Sequence, residues 1–183
     1  MSKQLDPRPF FVLGVIAVIA VGGWFILGGA ADTQYHDLAA CLASKDVTMY
    51  GFDLCPNCNK QKSKIGRDAF NQYIDGTGRY VRCREPPEGV TRQPIGAARL
   101  RNITILPRYR DDVTPQTTQG ELCSMMVGKG TPTWLIPDPD TDEIQQISGW
   151  RSVQRLAELS GCPVPEGATG QTAETEGQRF TEQ

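Results

Sequence analysis

The feature that most constrains the fold is a pair of cysteines that lies between a predicted strand and a predicted helix. Residues 47–52, VTMYGF, are β-branched and aromatic, which predicts a buried strand. The sequence Cys-Pro-Asn-Cys follows at 55–58, and 56–70 contains no helix breaker before Gly66. A helix with Pro56 in its first turn is therefore predicted. The two cysteines lie at a strand-to-helix junction around which the rest of the chain has to fold.

The remaining elements predict an α/β fold. Short helices are expected at 35–44 and 152–162, and further strands at 79–83, 132–137 and 143–148. The last two strands are joined by a turn of Asp, Pro and Thr at 138–142. The resulting order, β-α-β followed by β-β-α, is that of one compact domain over 35–164.

An apolar segment precedes this domain. Residues 10–31 carry no charged side chain, and a helix of that length reaches roughly 33 Å, enough to span a bilayer. Lys3 and Arg8 come before it, which predicts a cytoplasmic N-terminus at 1–9 and an extracytoplasmic location, in a periplasm, a lumen or outside the cell, for everything after residue 31. The alternative is a cleaved signal peptide ending at the small residues 28–30, although the apolar region of such peptides is usually ~7 to 15 residues.

Charge and cysteine content narrow the function classes. The net charge of -2 and pI near 5.5 give no general attraction to nucleic acid. Six cysteines are an even number, which outside the reducing cytosol is expected to be paired. If the two at 55 and 58 pair with each other, three arrangements remain for the other four, which are Cys41, Cys83, Cys123 and Cys162.

The position of the motif gives its two cysteines different chemistry. Unsatisfied N–H groups and the positive end of the helix dipole point at the first sulfur, which favours its thiolate. Cys55 is therefore the candidate nucleophile. Cys58, one turn along, faces the same sulfur from a deeper position and can resolve a mixed disulfide. Such a dithiol carries its own electrons and needs no cofactor.

Two other interpretations of the motif are weaker. A zinc site needs four ligands, but the other cysteines are isolated and the only histidine is His36. A purely structural Cys55–Cys58 bridge closes a very small loop and constrains the unfolded chain little.

Several motifs together resemble one family. The run from Cys41 through the Cys-Pro-Asn-Cys motif, then YVRC at 80–83, ELC at 121–123, GTPTW at 130–134 and the final GW and LAELSGC are similar to the thioredoxin-like domain fused to, or working beside, bacterial and plant homologues of vitamin K epoxide reductase. The resemblance covers about residues 38–164, apart from the segment between Cys83 and Cys123.

The resemblance implies a membrane-tethered thiol-disulfide oxidoreductase with a thioredoxin-like fold. Cys55 and Cys58 would be the redox pair, and Thr131 and a cis Pro132 would lie beside their sulfurs and bind the incoming chain; the alternative for Pro132 is a trans proline at an edge strand. A structural bridge would join Cys83 to Cys123. Cys41 and Cys162, at the two ends of the domain, are left to form the third.

The implied partners are exported cysteine-containing proteins and a quinone-linked membrane oxidase that regenerates the disulfide. The direction of electron flow stays open, because oxidases, reductases and isomerases share this motif. A non-catalytic, disulfide-stabilised scaffold or assembly protein anchored in the membrane is the alternative.

The chain departs from the family pattern at the motif itself. Many members carry histidine there, where this chain has Asn57, which predicts a less strongly oxidising pair. The position of the buried acid of ordinary thioredoxins falls at Met49, so proton transfer is expected to use water or Asp53.

Two segments lie outside the resemblance. Residues 84–122 form an insertion, and a stretch that overlaps it, Arg79 to Arg110, holds eight arginines and two acids. A solvated insertion is the first interpretation, with a possible strand at 103–106; the second is a docking surface for an acidic partner or anionic lipid headgroups. The tail, 165–183, is rich in Pro, Gly, Glu, Gln and Thr, which predicts disorder.

Overall fold

The computed structural model describes residues 35–83, 93–141 and 143–168, which all belong to one compact unit that begins at Tyr35. The predicted anchor at 10–31 and the residues before it lie outside this part of the chain. Within the described residues, no helix is long and apolar enough to cross a membrane.

Six α-helices and four strands are present in the described residues. In chain order they are α1 (35–44), β1 (Thr48–Gly51), α2 (Pro56–Ile65), α3 (Arg67–Ala69), β2 (Tyr80–Arg82), α4 (Ala97–Leu100), α5 (Gln119–Met126), β3 (Thr133–Pro137), β4 (Ile144–Ser148) and α6 (Val153–Ser160). A π-helical stretch, Phe70–Asp75, continues α3, and a 3-10 turn covers Pro107–Tyr109. The predicted order of elements, β-α-β followed by β-β-α, is confirmed, and the predicted α/β class with it.

The four strands form one mixed sheet in the order β2-β1-β3-β4. β1 and β2 are parallel, so the chain between them has to cross over, and the helical run from α2 to Asp75 makes that crossing. The β1–β3 and β3–β4 pairs are antiparallel. This topology makes β1 a central strand and places Cys55 just past its carboxyl end.

One face of the sheet packs against α1, α2 and α6. The strands contribute alternate side chains to this layer, including Met49, Tyr80 and Trp134, as the two-residue repeat of a strand requires. The helices contribute side chains at helical spacing, namely Leu38, Leu42, Cys58, Ile65, Val153, Leu156 and Ala157. Cys58 is thus part of the hydrophobic core as well as of the cysteine motif.

The other face of the sheet is covered by the insertion and α5, which corrects the first interpretation of the insertion as a solvated segment. The insertion residues Ile95, Ile103 and Leu106 are buried against Tyr50 and against other core residues of β2, β3 and α5. Part of the Arg-rich stretch therefore contributes to a second core cluster, and the insertion is part of the second layer of the domain.

Residues 103–106 do not form the strand that their apolar sequence suggested. Side chains of β1 hold this segment instead: the Thr48 hydroxyl accepts a hydrogen bond from the Thr104 N–H at 2.8 Å, and the Tyr50 hydroxyl donates one to the Thr104 carbonyl at 2.7 Å. Because β1 already lies between β2 and β3, its main chain has no free edge for a further strand.

The arginines of this stretch divide into two groups. Arg79 forms an ion pair with Asp46 at 2.7 Å, and Arg99 donates a hydrogen bond to the Tyr80 carbonyl at 3.0 Å, so both support the fold. Arg101 and Arg108 are exposed. The docking interpretation therefore applies to the second group.

Two disulfides crosslink the fold. One joins Cys83, directly after β2, to Cys123 in α5, and the other joins Cys41 in α1 to Cys162 after α6. These are the same two pairs that the family resemblance implies.

The ordered domain extends further than the predicted boundary at 164. Pro165 is buried, and Ala168 is only 2% exposed and packs in the first core, so residues 165–168 belong to the folded domain. The rest of the predicted tail lies outside the described residues.

Candidate active site

Cys55 lies at the N-terminus of α2, directly beside the carboxyl end of the central strand. It is the N-cap residue, with extended backbone angles, and its sulfur accepts a hydrogen bond from the Cys58 N–H at 3.4 Å. Pro56 occupies the first helical turn, where a missing N–H costs nothing. The strand-to-helix junction predicted from the sequence is therefore present, and its unsatisfied N–H groups face this sulfur.

Cys58 is fully buried under the same helix turn, whereas Cys55 is partly exposed. Both thiols are free. The Cys58 sulfur lies against β1 where Gly51 has no side chain: a Cβ atom placed on Gly51 would be 2.7 Å from it. An attacking group from solvent therefore meets Cys55 first.

The turn before β3 approaches Cys55 from the opposite side. The Thr131–Pro132 peptide bond is cis, as the family resemblance implies. The Thr131 hydroxyl donates a hydrogen bond to the Cys55 sulfur at 3.4 Å, and the Cys55 thiol donates to the Thr131 carbonyl at 3.6 Å. The fold thus brings together all four predicted site residues, Cys55, Cys58, Thr131 and Pro132.

The two sulfurs have opposite acid–base properties. Partial burial alone would raise the pKa of Cys55, but hydrogen bonds from the Thr131 hydroxyl and from the N–H groups of Cys58 and Asn57 outweigh burial and lower it. Burial, reinforced by the neighbouring Cys55 sulfur, raises the pKa of Cys58 to about 12. Near neutral pH, ionisation is therefore directed to the exposed sulfur.

The β4–α6 loop forms a third wall of the site. The Gly149 N–H donates to the Pro132 carbonyl at 2.7 Å, and the Arg151 N–H donates to the side-chain oxygen of the buried Gln61 at 2.7 Å. The Lys60 ammonium lies 3.6 Å from the centre of the Trp150 ring. The helix that carries both cysteines is therefore fixed to the loop beside the cis proline.

Asp53 lies close to the motif but belongs to a separate group of charges. Its carboxylate is 3.1 Å from the Lys62 ammonium and 3.4 Å from the Arg82 guanidinium, and it accepts a hydrogen bond from the Tyr80 hydroxyl at 3.1 Å. Burial would raise the pKa of Asp53, but these three partners together lower it. A carboxylate stabilised in this way is a poor proton acceptor, which disfavours the proton-transfer role suggested by its position in the sequence.

Exposed apolar side chains lie close to Cys55 in the sequence. Among the described residues, three large apolar side chains stand out as exposed, and two of them, Phe52 at 44% and Leu54 at 91%, lie within the three residues before Cys55. The third, Val164, follows the last helix. An exposed apolar group next to a reactive sulfur is suited to contact with another chain.

Gly51 was missed at the sequence level, although the sequence carries a signal for it. Gly51 interrupts a run of strand-forming residues, and an isolated glycine in a strand often marks a close approach by another group. Thr131 was predicted beside the sulfurs, but the hydrogen bond from its hydroxyl to Cys55 was not. Gln61 carried no such signal, because its partner is a main-chain group 90 residues away.

No family model matches the chain. Within the described residues, no group of three or more His, Cys, Asp and Glu side chains is placed to hold a metal ion. The assignment of chemistry to the site therefore depends on its geometry: two thiols at one helix N-terminus, of different exposure and acidity, that can be joined as a disulfide.

Proposed function

We propose that this protein is a thiol-disulfide oxidoreductase with a thioredoxin-like fold that exchanges disulfides through Cys55 and Cys58. The observation that carries the proposal is the asymmetry of the pair. Cys55 is accessible and has a lowered pKa at a helix N-terminus, whereas Cys58 is buried and has a pKa raised to about 12. Exchange needs this combination, because the thiolate is the nucleophile and a second thiol has to complete the reaction.

The reaction proceeds in two displacements. The Cys55 thiolate attacks one sulfur of a substrate disulfide, the S–S bond breaks, and the other substrate sulfur leaves as a thiolate. Cys58 then loses its proton and attacks Cys55, which forms the Cys55–Cys58 disulfide and releases the second substrate thiolate. Two electrons pass from the protein to the substrate, and the reverse sequence transfers a disulfide to a substrate dithiol.

The turn at Thr131 supports binding of an extended substrate segment. The Thr131 N–H has no hydrogen-bond partner among the described residues, and the carbonyl and hydroxyl of the same residue both contact the Cys55 sulfur that would be joined to the substrate. An extended chain can pair with such a main-chain group as an added strand does. Cysteine-containing segments that are unfolded or locally extended are thus the substrate class that fits.

The cellular setting follows from the sequence. The apolar segment 10–31 and the residues that flank it support an anchored protein whose domain is extracytoplasmic. The resemblance to the thioredoxin-like partner of vitamin K epoxide reductase homologues supports a quinone-linked membrane oxidase as the source of its disulfides, and exported proteins as its substrates.

The test is a redox titration of the full-length chain against glutathione, with alkylated thiols counted by mass spectrometry. We expect one pair of thiols, at 55 and 58, to titrate while both other bridges stay intact. A potential well above about -270 mV, the thioredoxin value, supports a disulfide donor, and a value near or below it supports a reductase. If no pair titrates and Cys55 alkylates no faster than an ordinary thiol at neutral pH, the proposal is wrong and a non-catalytic scaffold is the better description.

A further inference from the structure

The Cys58 sulfur occupies a space that exists because residue 51 has no side chain. A Cβ atom on Gly51 would lie 2.7 Å from this sulfur, closer than real Cβ atoms approach such an atom, and 3.6 Å from the Cys58 Cβ. The sulfur is fully buried, so any displacement of it has to be taken up by the packed side chains around it. The contact joins the second residue of the proposed redox pair to the middle of the sheet.

Backbone conformation does not explain the glycine. Gly51 is absent from the described glycines with positive φ, which include Gly66 and Gly149, and it sits in an ordinary strand paired with Arg82. Any residue can adopt that conformation, and most form strands better than glycine does. The requirement at position 51 is therefore for space.

The other side of this space is also apolar. The Met49 methyl group lies 3.6 Å from the same Cβ position, and Met49 is fully buried. Position 51 thus forms one wall of the buried space that holds the sulfur on the Cys55 side of the sheet.

We propose that Gly51 is the positioning residue for Cys58: the space above its Cα atom fixes the Cys58 sulfur where it can attack Cys55. The inference rests on the proposed function, since it concerns the second of the two displacements. A side chain at position 51 pushes the sulfur away from the line of attack, and displacements of this size have large effects on rates. The first displacement should be unaffected, because the atoms nearest to a Cβ at position 51 belong to Cys58 and Met49 and not to Cys55.

The experiment separates the two displacements with an aromatic disulfide, dithiobis(nitrobenzoate), added to the full-length chain after mild reduction that leaves the two structural bridges intact. Attack by Cys55 releases one thionitrobenzoate and leaves the other on Cys55, at a rate proportional to the reagent concentration. Attack by Cys58 on Cys55 then releases the second one at a rate independent of reagent. A Cys58→Ser variant marks the first phase, because it should release only one equivalent.

In Gly51→Ala, we expect the second phase to slow by about tenfold or more while the first phase stays within about twofold of the unsubstituted protein. The matched control is Gly120→Ala in α5, where an added Cβ meets nothing within 4 Å. Both phases should be unchanged in that variant. A second phase in Gly51→Ala as fast as in the control would overturn the inference.

A second measurement tests the inference even if Gly51→Ala is too unstable for the kinetic assay. If the sulfur is what the new methyl group strikes, removing the sulfur should relieve the clash. The comparison is between the melting temperatures of Cys58→Ala and of the double variant Gly51→Ala, Cys58→Ala. The difference between these two should be no larger than the difference between Gly120→Ala and the unsubstituted protein. A large loss from Gly51→Ala in the Cys58→Ala background would show that the space serves something other than the sulfur.

The two proposals fail in different ways. If the unsubstituted protein shows no rapid first phase, Cys55 is not a reactive nucleophile and the proposed function is wrong. If both phases are present and Gly51→Ala changes neither, the function stands and the role of Gly51 falls.

Discussion

The hydroxyl of Thr131 lowers the pKa of Cys55 through a hydrogen bond that valine, which has no hydroxyl, cannot make. It donates to the Cys55 sulfur at 3.4 Å, and the bond is stronger when the sulfur is ionised. Thr131→Val keeps the shape and removes the donor. Since a hydrogen bond to a charged group contributes roughly 1.5 to 3 kcal/mol, we expect the alkylation rate of Cys55 at neutral pH to fall by about tenfold.

The measurement is the pH dependence of iodoacetamide alkylation, whose midpoint should move to higher pH in Thr131→Val. Thr77→Val is the matched control, because the Thr77 hydroxyl bonds to main-chain carbonyls at the end of the helical crossover and not to a thiol. An unchanged midpoint in Thr131→Val would mean that the N–H groups of α2 lower the pKa of Cys55 without help from the threonine.

The raised pKa of Cys58 makes the reduced protein less stable as the pH rises into the alkaline range. Burial raises its pKa from 9.0 to about 12, so between these values the unfolded chain loses a proton that the folded chain keeps. The unfolded state then binds fewer protons, and stability falls as the pH rises, by about 1.4 kcal/mol per pH unit at the steepest. Below pH 9 this contribution is fully present.

Urea unfolding of the reduced protein at a series of pH values above 8 tests this prediction. The comparison is with Cys58→Ala, in which Cys55 and all other titrating groups are retained, so that their effects cancel in the difference. A constant difference in stability across this pH range would contradict a buried, protonated Cys58.

At the scale of elements, the Cys83–Cys123 bridge ties the insertion layer to the sheet. It joins the end of β2 to α5, and the turn after α5 leads to Thr131. The bridge closes a loop of 40 residues, for which chain-entropy arguments give a stabilisation of roughly 4 kcal/mol. Replacing both cysteines with alanine should lower the free energy of unfolding by about that amount.

The matched comparison is the Cys41→Ala, Cys162→Ala pair, whose bridge spans 121 residues and lies at the ends of the domain. It should cost a similar amount, since loop entropy grows slowly with length. Hydrogen exchange distinguishes the two: amides of the insertion should lose protection in the first variant and keep it in the second. Equal protection in both would show that the insertion layer is held by packing alone.

The elements that could be predicted from the sequence are those whose patterns are local. A pattern within about ten residues indicates each of three elements: the strand at 47–52, the proline-initiated helix after it and the amphipathic helix near the end. The insertion does not, because its fold depends on contacts that are distant in sequence. Residues 103–106 have the composition of a strand, but the hydroxyls of Thr48 and Tyr50 bond their main chain, and nothing near residue 104 indicates this.

The candidate site shows the same division. Cys55 and Cys58 could be named from spacing, because a helix turn brings them together. The contact between Thr131 and Cys55 spans 76 residues, and it could be predicted only from the family resemblance. The contact between Gly51 and Cys58 could not be predicted, because it depends on how α2 packs on β1.

At the scale of the whole molecule, the Cys55 sulfur lies beside exposed apolar side chains, which suits the proposed exchange with other proteins. Phe52 and Leu54 are exposed beside Cys55, and Lys60 in α2 is exposed as well. A small disulfide reagent reaches the sulfur without touching this surface, whereas a protein substrate covers it. The apolar rim should therefore affect exchange with proteins more than exchange with small molecules.

Leu54→Ser tests this difference. Because the Leu54 side chain is 91% exposed, its loss should leave stability nearly unchanged. We expect the exchange rate with an unfolded, cysteine-containing protein to fall by roughly threefold to tenfold, since burying a leucine against a partner stabilises the encounter by up to about 1.5 kcal/mol. The rate with glutathione disulfide should stay the same. Val164→Ser, which removes an exposed apolar side chain after the last helix, is the control and should change neither rate. Equal losses with both substrates in Leu54→Ser would place its effect on the Cys55 thiolate itself, and no loss with either would mean that partners approach the sulfur from the Thr131 side alone.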